Sequence, residues 1–127
     1  MPEGTVLVVD DDPVIQRLLQ VNFEMEGYRV VLAADGAAGL EQARAGHPDI
    51  VILDVMMPGM DGLEVVAQLK GDPATSAIPV LLLSAKAQEA DIRAAASTGA
   101  DGYVTKPFDP LELLERVTAL IAGAGAR

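Results

Sequence analysis

Short apolar runs alternate with longer amphipathic stretches along this chain, five of each. The runs are Thr5–Asp10, Tyr28–Ala33, Ile50–Asp54, Pro79–Ser84 and Gly102–Thr105. They are rich in Val, Ile and Leu and show little in/out alternation, the pattern of strands covered on both faces. The stretches between them carry helical spacing. Asp12-Pro13 predicts an N-cap followed by proline at the first helical position, opening a helix with Ile15, Leu18, Leu19 and Phe23 on one side; Gly27 stops it. A second helix is predicted over Ala37–Ala45, with Leu40 and Ala43 facing inward. A third carries Val65, Val66 and Leu69 and ends near Gly71-Asp72-Pro73. A fourth is predicted over Glu89–Thr98. The last follows Asp109-Pro110 and places Leu113, Leu114, Val117, Leu120 and Ile121 at helical spacing.

Five β-α repeats with short connections predict an α/β fold: one doubly wound domain with an open parallel sheet and helices on both faces. In such sheets chemistry collects at the carboxyl ends of the strands, where strand order reverses. Nothing in the sequence reads as a linker or a repeat. A single domain over 1–127 is expected, its core spanning about 5–121 and its small-residue tail, 122–127, frayed.

Composition narrows the chemistry. With no cysteine, disulfides and thiolate metal sites are excluded. Nothing resembles a signal peptide, and the longest apolar runs are too short to span a bilayer, so a soluble cytoplasmic protein without a membrane partner is expected. Nine basic against nineteen acidic side chains give a formal charge of −10. Such a chain is repelled by nucleic-acid phosphates unless a basic stripe overrides the field, and its basic residues are scattered singly. The expectation is no direct nucleic acid; a divalent cation is the better ligand.

The strand ends hold the candidate chemistry. Strand one ends in Asp10-Asp11-Asp12, strand three in Asp54 and strand four in Ser84, and strand five leads into Lys106-Pro107. If the sheet forms, these groups meet on one rim. Clustered carboxylates raise each other's pKa unless a cation intervenes. Oxygen-only donors suit Mg²⁺, which takes one or two carboxylates plus phosphate and keeps several waters. With a phosphoryl group brought to Asp54, the carboxylate is a nucleophile, and Lys106 and the Ser84 hydroxyl meet the remaining charge.

Four segments closely resemble bacterial response-regulator receiver domains of the CheY-like, two-component kind. They are Val8-Val9-Asp10-Asp11-Asp12-Pro13, the run from Asp54 through Met56-Met57-Pro58-Gly59-Met60 to Asp61-Gly62, Leu83-Ser84-Ala85, and the run from Gly99 through Tyr103 to Lys106-Pro107-Phe108. The likeness extends from Val6 to Leu120, collinear and with matching separations. It implies a flavodoxin-like sheet of order 2-1-3-4-5 and a phosphorylation switch, not an enzyme beyond its own phosphoryl transfer and dephosphorylation. Asp54 would be the phosphoacceptor. Asp11 would touch the metal directly and Asp10 mainly through water, with Asp54 and the backbone carbonyl of Met56 as further ligands. Mg²⁺ is the implied ion, with Mn²⁺ or Ca²⁺ as substitutes. Ser84 and Lys106 would bind phosphoryl oxygens, Tyr103 would swing inward with Ser84, and the Lys106–Pro107 peptide would be cis. The implied partners are a sensor histidine kinase or phosphotransfer protein and a downstream target protein or domain, with a dimer on phosphorylation as one outcome. The end of the chain soon after the fifth helix leaves two expectations, a regulator that acts alone by docking on a partner, which is favoured, and the excised regulatory half of a longer protein.

Blander roles compete at single positions. Asp12 reads as an N-cap only, and His47, in a loop before Pro48, receives no function. A phosphohydrolase of the haloacid dehalogenase kind would use Asp10 and Asp12 but leave Asp54 unexplained. A flavin module lacks its hydroxyl-rich loop after strand one, and nucleotide-binding glycine motifs are missing. A protein-interaction domain that is never phosphorylated would not need the acidic cluster. One expectation comes from composition alone. The fourth helix holds Ala90, Ala94, Ala95 and Ala96 with Ile92 its one large apolar residue, so at about 25 cal/mol per Å² it is weakly anchored. Together with strand five and the last helix, it is expected to form the face that changes on phosphorylation.

Overall fold

The structure is a computed structural model and describes residues 4–57, 62–85 and 99–125. The expected fourth helix, Lys86 and the turn through Met60 and Asp61 lie outside the described residues. Five strands, β1 (Thr5–Val9), β2 (Arg29–Ala33), β3 (Ile50–Asp54), β4 (Val80–Ala85) and β5 (Gly102–Lys106), form one parallel sheet of order β2-β1-β3-β4-β5. The helices are α1 (Pro13–Met25), α2 (Gly36–Gly46), α3 (Gly62–Gly71) and a C-terminal helix (Pro110–Gly125).

The unbroken apolar character of the strands has a direct cause: alternate residues feed two separate cores. On one face Leu7, Val9, Val51, Leu53, Val80 and Leu82 meet α2 and α3 through Leu40, Ala43, Val65, Val66 and Leu69. On the other, Val6, Val8, Ile50, Ile52, Leu81, Leu83 and Val104 meet α1 and the C-terminal helix through Leu19, Phe23, Leu113 and Val117. On the central strands β1, β3 and β4 neither face is left to water, whereas the edge strands β2 and β5 are only partly covered.

Helix ends follow from local chemistry. Asp12 caps α1, its side chain accepting from the Val14 N–H, with Pro13 at the first helical position. Gly27 ends the helix at φ 95, a conformation that costs glycine nothing. The Gly27 N–H donates to Glu24 and the Tyr28 N–H to Phe23, and the Phe23 and Tyr28 rings pack edge to face at 5.9 Å across the joint. His47 closes α2 in the left-handed region at φ 44.

One expectation is corrected. Leu18 does not face the core: it is 37% exposed, sharing the outer side of α1 with Val14, Val21 and Met25, because Leu19 and Phe23 already fill the inward arc. The last helix runs past Ile121 to Gly125, through the strong helix former Ala122. Among the described residues, no helix is long and apolar enough to cross a membrane.

Candidate functional site

Alternation along the strands brings the acids together. Val8 is in register with Ile52, and both point into the core beneath α1 and the C-terminal helix. Two residues further along each strand stand Asp10 and Asp54, on that same side by the two-residue period. Val104 shares that core, so Lys106, two residues on, projects to the same side from β5. Its long side chain crosses β4 and places Nζ 3.2 Å from Asp54 Oδ2 and 3.5 Å from Asp10 Oδ2. Asp11 completes the group: one carboxylate oxygen each from Asp10, Asp11 and Asp54 lie within 4.8 Å of one another.

The cluster is graded in exposure. Asp10 is fully buried, Asp54 nearly so, and Asp11 is exposed. Backbone donors fix the two buried acids: the Asp12 N–H donates to Asp10 Oδ1 at 2.9 Å and the Met56 N–H to Asp54 Oδ1 at 3.1 Å. Burial pushes the Asp10 carboxyl up to about 6; the Asp12 N–H pulls it back, the Asp54 charge adds to the rise, and Lys106 opposes it. Burial alone would lower the Lys106 pKa, but the Asp10 and Asp54 carboxylates outweigh it and leave the ammonium more basic than an ordinary lysine. One lysine thus meets two buried carboxylates and a third at the rim. All-oxygen donors with a surplus of negative charge and one open side suit a hard divalent cation.

The remaining predicted residues flank this cluster. Ser84 is fully buried at the end of β4, one residue beyond Leu83, which pairs with Asp54. The Lys106–Pro107 peptide is cis. Tyr103 lies lower on edge strand β5 and is 50% exposed. Met56 exposes its side chain, while Met57 is buried in the core. Gly62 is a seat that sequence reasoning passed over. A Cβ there would stand 2.5 Å from the Asp54 carbonyl oxygen and 2.7 Å from Val55 Cα, so only glycine lets α3 start against the end of β3. Gln16 was missed as well; its amide donates to the Asp10 carbonyl at 2.6 Å. A glutamine on the first turns of a helix gives no signal of this in the sequence.

A family model described as the response regulator receiver domain matches residues 6–118. The chain belongs to the response regulator receiver family. It is 42% identical to the transcriptional regulatory protein CseB of Streptomyces coelicolor over 96% of this chain and 53% of that protein. It is 46% identical to RpaA of Synechocystis, described as a DNA-binding dual master transcriptional regulator, over 91% of this chain and 48% of that protein. Among solved structures, a CheY-like receiver domain protein from Methanospirillum hungatei superposes with a TM-score of 0.91 at 25% identity, covering 98% of each chain. This is a receiver domain of two-component signalling and not a conventional enzyme: a phosphorylation-switch regulator with an acidic pocket of Asp10, Asp11 and Asp54 beside Lys106. An acidic triad of this kind is typical of a receiver Mg²⁺ site.

These relatives overturn the expectation about nucleic acid. The chain spans about half the length of the curated relatives it matches, and they are transcriptional regulators, RpaA by description DNA-binding. The acidity of one domain measures the field of that domain alone and carries no information about a DNA-binding part elsewhere in a regulator. The exclusion of nucleic acid does not stand.

Proposed function

We propose that residues 1–127 form a single receiver domain whose phosphoacceptor is Asp54, charged from the phosphohistidine of a sensor kinase or phosphotransfer protein in the presence of Mg²⁺. The observation that carries this reading is the Lys106 ammonium held between Asp54 and Asp10 with Asp11 at the rim. An Asp54 carboxylate oxygen attacks phosphorus in line, the P–N bond breaks, and the donor imidazole leaves. Asp11, Asp54 and the Met56 carbonyl would hold the ion, with Asp10 acting mainly through water. Bound there, the cation supplies charge neutralisation between carboxylate and phosphoryl oxygens; Mn²⁺ or Ca²⁺ can take its place.

Phosphorylation then changes what Lys106 pairs with. Its ammonium turns from the Asp54 carboxylate to a phosphoryl oxygen, the Ser84 hydroxyl donates to another, and Tyr103 moves inward as Ser84 is drawn across. The β5 edge and the C-terminal helix carry the change to the read-out, which we place in the cytoplasm and in control of transcription, as the descriptions of CseB and RpaA suggest.

Incubation of wild type and Asp54→Ala with Mg²⁺ and an acyl phosphate tests the assignment. The wild type should gain the mass of one phosphoryl group, lost on EDTA treatment before the donor is added, and Asp54→Ala should gain none. A mass gain that survives the substitution places the acceptor elsewhere.

A further inference from the structure

We infer that Gln16 is a positioning residue for the acidic turn: it holds the Asp10–Asp11 peptide so that the Asp11 carboxylate stays beside those of Asp10 and Asp54. The inference rests on the reading of the acidic cluster as a cation site.

The three carboxylates are not held equally. Asp10 is fixed by the Asp12 N–H and Lys106, and Asp54 by the Met56 N–H and Lys106. Asp11 is exposed, and among the described residues its side chain makes no hydrogen bond. Its place in the cluster therefore depends on its backbone. The peptide that joins it to Asp10 is the first beyond β1, past the ladder that fixes Thr5–Val9. That peptide's carbonyl receives the Gln16 amide at 2.6 Å. The same nitrogen lies 3.5 Å from the Ala33 carbonyl at the end of β2, which also accepts the Asp10 N–H at 3.1 Å.

A primary amide carries two N–H groups and can serve both carbonyls. Gln16 itself is anchored, since its backbone N–H donates to the Asp12 carbonyl at 3.0 Å. One half-buried side chain on α1 thus ties together the ends of β1 and β2 and the peptide plane from which Asp11 departs. Without it, the Asp10–Asp11 peptide can rotate toward water, and Asp11 swings with it. Groups that orient metal ligands from behind typically change metal affinity by about 10- to 100-fold when removed.

The test is a double-mutant cycle in metal-free protein titrated with Mg²⁺. Affinity is read by calorimetry and the peptide plane by the Asp11 amide ¹⁵N shift. Gln16→Met keeps the length of the side chain and removes its donors. It should weaken Mg²⁺ about tenfold and move the Asp11 amide resonance while leaving those of β3 in place. In an Asp11→Asn background, where the ligand charge it positions is already gone, the same substitution should cost less than about twofold. An equal loss in both backgrounds would show a general structural role and overturn the inference, as would unchanged affinity in Gln16→Met. Gln16→Ala is carried through the same cycle, so that a packing fault peculiar to methionine cannot decide the result. Wild type that binds no Mg²⁺ would sink the cation-site reading itself, a failure distinct from a wild type that binds with Gln16 indifferent.

Discussion

Asp10→Asn replaces a fully buried carboxylate with an amide of the same shape, and the metal-free domain should gain stability from the exchange at neutral pH. The folded-state pKa of Asp10 is raised from 3.8 to about 6. Two units of displacement correspond to about 3 kcal/mol of preference for the neutral form, and the attraction of Lys106 is already counted within that figure. The sign follows from linkage: the folded state holds this proton more tightly than the unfolded chain. Asp10 therefore costs nothing well below pH 4, where both states are protonated. Its cost accumulates as pH rises from about 4 to about 6 and is complete by pH 7. Asparagine keeps the acceptor for the Asp12 N–H, and Lys106 keeps Asp54 as its partner. A gain of about 1–3 kcal/mol at pH 7 is expected, or roughly 4–10 °C in midpoint for a domain of this size. Thermal unfolding of both proteins from pH 4 to 8 with EDTA present measures it, and the difference curve removes every other titrating group. The curves should meet near pH 4 and separate above it, and saturating Mg²⁺ should narrow the gap by stabilising the wild type. An Asp10→Asn protein less stable than wild type at pH 7, or a gap that ignores pH, would refute the account of a buried charge under strain.

Other substitutions probe the scaffold. Gly62→Ala forces a Cβ against the Asp54 and Val55 backbone, which has no flexible end to yield; a loss of about 1–3 kcal/mol and weaker Mg²⁺ binding are expected, read by unfolding and calorimetry. His47→Gly relieves a left-handed non-glycine cap and should add about 0.5–1 kcal/mol in chemical denaturation, with phosphorylation unchanged. Lys70 donates to the Ile78 carbonyl at 2.8 Å and pairs with Asp101 at 3.0 Å, and Asp101 in turn accepts the Val80 N–H. Lys70→Met should therefore cost about 1–2 kcal/mol and leave Mg²⁺ affinity intact, because this knot lies at the opposite end of β4 and β5 from the acids.

What could be read from the chain depended on whether one residue or several determine the outcome. The central strands were legible because burial on both faces leaves them apolar almost throughout, and the helix starts at Pro13 and Pro110 because capping is a contact between near neighbours. The acidic pair was legible through period and order: once β1 and β3 are neighbours, Asp10 and Asp54 share a side. Lys106 was expected on the same rim to meet charge at Asp54, but its shared pairing with the buried Asp10 was not legible, since the side chain must pass over a whole strand, roughly 10 Å of sheet, to reach both. Nor was the bond from Gln16 to the Asp10 carbonyl, six residues back and across a turn, or the outward roll of Leu18, which follows from Leu19 and Phe23 having claimed the core. The misjudged partner has the same root. A charge of −10 belongs to the whole sequence read, whereas binding is decided by the local field where contact is made. The feature on which this domain's chemistry turns is local in the same sense: a lysine and three acids held within reach of one another at the strand ends.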